Sequence, residues 1–157
     1  MPTGKTPSQS YTEQVHMVNH GDLNGYKRLF GGTLLGWIDI LAAIVAIRHT
    51  ESHITTVAID DLHFIAPAYA GDLVVLCGKV TCTGRTSVEV CVRSYVEHID
   101  GSRRLINQAH VVLVALDENE HPVEVPPLIP ETEEEKQEQQ AGMRRRELRK
   151  LRQKEQY

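Results

Sequence analysis

The sequence has few cysteines and little excess charge, and each shortage argues against a class of protein. Its 157 residues include three cysteines, an odd number that argues against a disulfide framework. Cys77 and Cys82 lie on one predicted strand with opposite parity and so face opposite ways, which disfavours a metal site. With Cys91 they are interpreted as buried or half-buried structural thiols. The net charge of −4 is small and does not indicate a nucleic-acid partner.

The sequence shows no pattern typical of a targeting or membrane-spanning segment. Its first residues, MPTGKTPSQSYTEQ, are polar and contain no apolar signal-peptide region. The apolar run Leu34–Ile47 is shorter than the ~20 residues that span a bilayer, and it carries Asp39 in its middle. We therefore expect a soluble, cytoplasmic protein with no membrane partner.

Several catalytic and cofactor motifs are missing as well. The eight histidines are scattered, and none belongs to a His-Glu-x-x-His motif. No Gly-x-Ser-x-Gly elbow is present, which disfavours a serine hydrolase triad. Neither a P-loop nor a dinucleotide fingerprint occurs. These missing motifs therefore give no indication of a metal site or a dinucleotide cofactor.

Hydrophobic periodicity divides the rest of the sequence into one helix and five strands. A helix is predicted from about Thr33 to His49, with Gly31 and Gly32 just before it. The strands have a period of two, and the last four are joined by short turns, which implies antiparallel pairing. The predicted strands are Tyr11–Met17, His53–Phe64, Leu73–Thr83, Thr86–His98 and Arg103–Asp117. This pattern predicts an α+β fold with one long helix in the concavity of an antiparallel sheet.

The helix and the two ends of the chain carry further expectations. The helix is too apolar for one sheet to cover, so a second copy of the chain is expected to cover the rest. We expect residues 1–10 to be a disordered leader, residues 11–130 the single domain, and residues 131–157 a charged tail that is partly helical or disordered. The basic second half of the tail permits two interpretations, a solvated surface or a contact with an anionic partner such as nucleotide phosphates or nucleic acid.

Asp39 is the main candidate for chemistry, because a buried carboxylate is costly unless it is hydrogen-bonded or catalytic. On the residue alone, a general base or nucleophile and a structural hydrogen-bond network are both open. Gly31 and Gly32 precede a helix whose unpaired N–H groups could polarise a carbonyl oxygen, or they merely form a tight turn. Asn24 could orient a water or a carbonyl, or it could shape its own loop.

Together these residues resemble the signature of the hotdog-fold acyl-CoA thioesterases. The resemblance rests on Asn24, Leu29-Phe30-Gly31-Gly32 and Trp37-Ile38-Asp39, and it extends over roughly residues 12–128. It is to the group that contains bacterial broad-range acyl-CoA hydrolases and the brain-type cytosolic acyl-CoA hydrolase. Lys27 stands where the family often has glycine, a departure that bears on the shape of the loop carrying Asn24.

The resemblance implies a hotdog fold, with the sheets of two subunits joined into one and three such dimers forming a hexamer. It implies hydrolysis of acyl-CoA to a free acid and CoA, so that CoA is part of the substrate and product rather than a cofactor. Asp39 of one subunit, as general base or nucleophile, would face Asn24 and the helix start of the other. The groups implied for the carbonyl are the N–H groups of Gly31, Gly32 and Thr33, and those implied for CoA are Gly84, Arg85, Thr86 and Ser87.

Two rival functions stay open on the same fold. One is a non-hydrolytic acyl-CoA sensor or scaffold, which could dispense with the Asp39 carboxylate. The other is a dehydratase or hydratase, for which His49 or His63 could be proposed. Both histidines fall at predicted element ends, where a structural role is favoured. The length of the acyl chain is not readable from the sequence.

Overall fold

The computed structural model describes residues 2–156 and folds them around one five-stranded antiparallel sheet. The elements are β1 (Thr12–Met17), α1 (Gly31–Thr50), β2 (His53–Phe64), β3 (Leu73–Thr83), β4 (Ser87–Glu97), β5 (Arg103–Leu116) and α2 (Glu133–Glu155), with single 3₁₀ turns at Pro7–Gln9 and His20–Asp22. Each strand and the first helix begin and end within two residues of the predicted positions. The predicted fold class is confirmed.

The strands lie in the order β1-β3-β4-β5-β2, and every neighbouring pair is antiparallel. The β4–β5 turn contains Gly101 with φ of +87°, a left-handed conformation that glycine adopts without strain. Within the described chain, β1 and β2 are the edge strands, so one side of each has backbone groups that no strand pairs. Both edge strands also contact α1.

Helix α1 crosses the sheet, and its inner side forms the core with the strands. Ile38, Leu41 and Val45 are fully buried, and each such side chain stabilises the fold by roughly 1.5–3 kcal/mol. Gly78 in β3 sits under the helix, because a Cβ there would lie 3.0 Å from Val45 and 3.4 Å from Leu41. A larger residue would push the helix away from the sheet.

The opposite side of α1 is apolar but open to solvent in the single chain. Ile40 is 57% exposed and Ile47 is 48% exposed. Val57, Phe64 and Ile65, on β2 and just after it, are likewise exposed. By length and apolar composition α1 could cross a membrane, a test that the core helix of a soluble protein also passes. An exposed apolar face beside an unpaired sheet edge is typical of a surface that another copy of a chain covers.

The predicted disordered leader is wrong for residues 2–10, which pack against the end of the domain; Met1 lies outside the described residues. The Lys5 N–H donates to the Pro127 carbonyl at 3.0 Å, and the Ile129 N–H donates to the Lys5 carbonyl at 2.8 Å. A Cβ at Gly4 would lie 2.5 Å from the Ile129 side chain. The composition of residues 2–10 does not reveal this pairing, because the segment they pair with lies more than 100 residues later in the sequence.

The charged tail forms helix α2, which lies across β3 and β4 on the outer face of the sheet. Thr132 begins it with a capping box, in which its hydroxyl accepts from the Glu135 N–H at 3.1 Å. Gly142 is buried there, and a Cβ at that position would lie 2.6 Å from Cys82 and 2.9 Å from Glu89. The interpretation of the tail as merely solvated is therefore wrong for the side of α2 that faces the sheet.

The three cysteines are free thiols, half-buried at Cys77 and buried at Cys82 and Cys91. Burial raises the pKa of Cys91 to about 11, so this thiol stays protonated and unreactive at neutral pH. Their predicted burial is confirmed. The prediction that Cys77 and Cys82 face opposite ways is wrong, because a register shift between Val80 and Cys82 turns both toward the side of the sheet away from α1.

Candidate active site

The loop before α1 is held in shape by Asn24. Its side-chain oxygen accepts hydrogen bonds from the N–H groups of Tyr26 at 2.9 Å and Arg28 at 3.2 Å. Its backbone N–H donates to the Arg28 carbonyl at 2.8 Å. Asn24 therefore forms the turn, as one of its two interpretations predicts. Its side-chain NH₂ group makes no hydrogen bond within residues 2–156 and stays free to donate.

Lys27 explains how the loop keeps its shape without the glycine of the family pattern. Its φ is +62°, in the left-handed region that glycine favours. The Lys27 N–H donates to the Asn24 carbonyl at 3.0 Å. The departure at Lys27 thus leaves Asn24 in a glycine-type turn, with some backbone strain at the lysine.

Helix α1 begins without a side-chain cap. Phe30 is its N-cap and offers no oxygen to the first turn, where Ser, Thr, Asp or Asn would normally stand. The first bond of the helix runs from the Leu34 N–H to the Phe30 carbonyl at 3.1 Å. In the part of the chain that the structure describes, the N–H groups of Gly31, Gly32 and Thr33 have no acceptor. Three unpaired donors at the positive end of a 20-residue helix favour an anionic or carbonyl oxygen.

The two glycines also lie against aromatic rings of the same chain. A Cβ at Gly32 would lie 2.9 Å from the Phe30 ring, and one at Gly31 would lie 3.5 Å from the Phe64 ring. A side chain at position 32 would therefore displace the Phe30 ring, so glycine there suits its own chain as well as a ligand. This packing is a second reason for the Gly-Gly step that the sequence alone does not reveal.

Asp39 is half-buried on α1 and faces β2. Its Oδ1 accepts a hydrogen bond from the Thr56 hydroxyl at 2.8 Å. The structure gives Oδ2 no partner among residues 2–156, so one oxygen is fixed and the other is available. Sequence reasoning assigned no role to Thr56, because nothing in the local pattern says which strand residue the helix will meet.

The single chain brings some predicted residues together and keeps others apart. Asn24 and Gly31 line one surface cavity of about 290 Å³, together with Phe64 and Pro67. Asp39 lies seven residues beyond Gly32, which is two turns and about 10.5 Å along the same side of the helix. A carboxylate and an oxyanion site that act on one carbonyl must both come within about 3 Å of it. One protomer therefore does not complete the predicted site.

The predicted CoA-binding turn, Gly84 to Ser87, joins β3 to β4. The Gly84 N–H donates to the Ser87 carbonyl at 2.9 Å. Arg85 is exposed, and its side chain makes no hydrogen bond or ion pair within the described residues. In the sheet, Thr56 lies opposite Leu113, and Leu113 lies opposite Val88. Because the turn ends next to Val88, it lies two strand spacings, or about 10 Å, from Thr56.

Histidines and possible metal sites take no part in this arrangement. His49 is buried, and its Nε2 lies 2.7 Å from the Pro126 carbonyl, while the His63 Nε2 lies 2.7 Å from Asp61. The sequence does contain His-x-x-x-His spacings at His16 and His49, but each pair spans two different elements rather than one helix face. No group of three or more potential ligands is arranged to hold a metal ion among residues 2–156.

The structure also reveals a buried ion pair that the sequence did not. The carboxylate of Glu89 on β4 accepts from Arg145 of α2 at 2.8 and 3.0 Å and from the Thr81 hydroxyl at 2.6 Å. Burial alone would raise the pKa of Glu89, but the hydrogen bonds from Arg145 and Thr81 outweigh it and lower the pKa. Glu89 therefore fastens α2 to the sheet and does not face the candidate site.

Comparison with known proteins identifies the family. Residues 26–101 match the family model of the thioesterase superfamily. The chain is 39% identical over 137 residues to an uncharacterized acyl-CoA thioester hydrolase of Bacillus subtilis, covering 83% of this chain and 80% of that one. The chain belongs to the hotdog-fold acyl-CoA thioester hydrolases of the thioesterase superfamily.

Two solved structures of this family match nearly the whole chain. An acyl-CoA hydrolase of Staphylococcus aureus, in complex with butyryl coenzyme A, coenzyme A and coenzyme A disulfide, superposes with a TM-score of 0.92 at 31% identity, covering 97% of this chain and 93% of that one. An apo-hexameric acyl-CoA thioesterase superposes with a TM-score of 0.91 at 38% identity, covering 96% and 97%. Alanine variants of one aspartate, one asparagine and one threonine of the Staphylococcus aureus enzyme have also been solved.

Proposed function

We propose that this protein hydrolyses acyl-CoA thioesters to a free acid and CoA at a site shared by two protomers. Two features of α1 carry this proposal. Its start is uncapped and has three free N–H groups, and the same helix carries the Asp39 carboxylate, which accepts a hydrogen bond from Thr56 of β2. The donors suit the oxyanion that forms when a thioester carbonyl is attacked, and the carboxylate suits the activation of water. Thiolate is a good leaving group, so the reaction does not require a strong general acid.

The helix geometry supports a two-protomer site. Gly32 and Asp39 of one protomer are too far apart to act on one carbonyl, but they lie on the same side of α1. A two-fold axis passing near Gly36 would bring Asp39 of each protomer to the helix start of the other. Gly36 is exposed, and a Cβ built on it meets nothing within 4 Å. The exposed apolar face of α1 and the unpaired edge of β2 would be covered by the same contact.

Each residue then has a defined part in the reaction. The thioester oxygen accepts from the N–H groups of Gly32 and Thr33, and the Asn24 NH₂ group donates to the same oxygen or to the attacking water. The Asn24 oxygen is already occupied within its loop, which favours the donor role. Water adds to the carbonyl carbon, its proton passes to Asp39, and the carbon–sulfur bond then breaks to release the CoA thiolate. Gly84, Arg85, Thr86 and Ser87 bind the nucleotide end of CoA.

A spacing shared with the Staphylococcus aureus enzyme supports these assignments. Its alanine variants replace an asparagine, an aspartate and a threonine separated by 15 and 17 residues. Asn24, Asp39 and Thr56 have the same separations here. The complexes of that enzyme with CoA and butyryl-CoA support the substrate class, and the hexameric relative supports a six-subunit assembly, which we take to be a trimer of dimers. The free thiols support a cytoplasmic location.

Release of CoA thiol from a panel of acyl-CoAs of different chain lengths tests this function. The Asp39→Asn variant should lose about 10²- to 10⁴-fold in kcat, the usual contribution of a general base. Glu118→Gln, at an exposed position after β5, removes the same charge and should behave as wild type. Absence of release for every chain length would favour an acyl-CoA sensor, and near-normal turnover of Asp39→Asn would remove Asp39 from the mechanism.

Two further measurements resolve the details. Single-turnover hydrolysis in isotopically labelled water tests the nucleophilic role of Asp39. Label on Asp39 would show an anhydride opened at the aspartyl carbon, because a general base leaves none there. Co-refolding Asp39→Asn with Asn24→Ala tests the shared site. Random dimers would regain roughly a quarter of the wild-type sites, because each mixed dimer contains one intact site. No recovery would place both residues in one protomer's site.

A further inference from the structure

Helix α2 carries most of the tail's positive charge, and four of its five arginines form ion pairs. Arg145 pairs with Glu89, and Arg149 and Arg152 both pair with Asp60 on β2. Arg144 pairs with Glu147 on the helix itself. Three arginines of the basic half of the tail therefore bind α2 to the sheet.

Arg146 is the exception among these five arginines. It is half-buried, yet its guanidinium has no carboxylate and no hydrogen-bond acceptor within residues 2–156. A guanidinium stays protonated in proteins and carries five donors. A partly desolvated group of this kind, left without an acceptor, is costly unless an anion meets it.

The position of Arg146 links it to the Gly84–Ser87 turn. A Cβ built on Gly84 would lie 3.0 Å from Arg146 Nε, 3.1 Å from its Cζ and 2.6 Å from the Ser87 Oγ. The guanidinium therefore packs directly on the backbone of Gly84, and the missing side chain at Gly84 makes the room for it. Helix α2 thus reaches the turn that the family resemblance assigns to the CoA nucleotide.

This turn gathers positive charge that nothing in the described chain balances. Arg85 stands one residue from Gly84 and is also unpaired, and Thr86 and Ser87 add hydroxyl donors. Arg85 on the turn and Arg146 packed against Gly84 thus bring two unpaired guanidinium groups to the same turn. Planar guanidinium forks match phosphate oxygens, so the chemistry of the site is that of a phosphate group.

We propose that Arg146 of α2 completes, with Arg85, a phosphate-binding site for the nucleotide part of CoA. This inference rests on the proposed function, because it takes the phosphates to be those of the thioester substrate. It also gives the basic tail a role that its composition left open between a solvated surface and a contact with an anionic partner. The tail is then part of substrate binding, although it lies on the outer face of the sheet.

Steady-state hydrolysis of an acyl-CoA and of the matching acyl-pantetheine, which lacks the nucleotide, tests the proposal. Arg146→Gln should raise KM for the acyl-CoA by about 10-fold, the value of one hydrogen bond to a charged group, with little change in kcat. Hydrolysis of the acyl-pantetheine should not respond. Arg146→Lys should recover part of the loss, because it keeps the charge but not the fork. Arg144→Gln removes the same charge from another side of α2 and should match wild type.

Calorimetric titration with adenosine 3′,5′-bisphosphate separates this inference from the proposed function. Weaker binding to Arg146→Gln than to Arg144→Gln supports the phosphate site even in an enzyme that hydrolyses no acyl-CoA tested. Equal KM values and equal nucleotide affinities for the two variants overturn the site. Weaker nucleotide binding with an unchanged KM for acyl-CoA assigns the site to a free nucleotide and overturns its role in substrate binding.

Discussion

The hydrogen bond from Thr56 to Asp39 gives the sharpest test of how the carboxylate is held. The bond is 2.8 Å long and lies in a half-buried position between α1 and β2. A hydrogen bond to a charged group is worth about 1.5–3 kcal/mol. If its loss leaves the carboxylate free to rotate away from the water, kcat should fall by about 10- to 100-fold in Thr56→Ala. KM should change little, because Thr56 is assigned no contact with the substrate.

The neighbouring residue supplies the control for this experiment. Thr55 lies on the same strand, is exposed, and makes no side-chain hydrogen bond among residues 2–156. Thr55→Ala should therefore keep wild-type kinetics, and Thr56→Ser should recover most of the lost kcat because it restores the hydroxyl. Thiol release under saturating acyl-CoA measures all three variants. Equal kcat for Thr56→Ala and Thr55→Ala would refute the positioning role of Thr56.

Two predictions concern stability. Arg145→Met leaves the buried Glu89 carboxylate without its cation, which should lower the free energy of unfolding by about 3 kcal/mol and Tm by about 6–12 °C. Arg144→Met should cost almost nothing. Equal losses of stability in the two variants would contradict the role of the Arg145–Glu89 pair. Burial lowers the pKa of His49 and His110, so the unfolded chain binds protons first as the pH falls below about 6.5. As the pH falls from about 6.5 to the folded-state pKa values, the free energy of unfolding should therefore decrease. His49→Gln should make this dependence on pH weaker. Identical urea midpoints at pH 7.5 and 5.5 for the wild type would contradict the prediction.

The fold was predictable because its elements follow simple periodicities. The alternation in His53–Phe64 gave β2 with the observed bounds, and the short turns between the last strands gave antiparallel neighbours. Asp39 stood out because one carboxylate in an apolar helix requires an explanation. Each of these signals is local, so a single sequence contains them in full.

The parts that the sequence missed all depend on contacts between distant segments. Thr56 acquires its role only when α1 crosses β2, 17 residues away. The ordered leader depends on Lys5 meeting Pro127, and the fastening of α2 depends on Arg145 reaching Glu89. Composition correctly identified the tail as charged, but it could not show which charges pair or that Arg146 alone among the five arginines of α2 has no partner within residues 2–156.

The missing cap of α1 connects the stability of the helix with its proposed activity. A Ser or Asp at the N-cap position stabilises a helix by about 1 kcal/mol, because its oxygen accepts from the N2 and N3 amides. In α1 those amides belong to Gly32 and Thr33, the donors assigned to the thioester oxygen. The presence of Phe30 at this position leaves both of them free, at some cost to the helix.

Substitution at Phe30 tests this trade between stability and catalysis. Phe30→Ser should stabilise the helix relative to Phe30→Ala, since both variants lose the ring and only serine offers an acceptor. It should also hydrolyse acyl-CoA more slowly than Phe30→Ala, because the new hydroxyl competes with the thioester oxygen for the same N–H groups. Thermal unfolding and thiol release on the two variants measure both effects. If the serine variant were both more stable and at least as active, the helix-start amides would not be the oxyanion site.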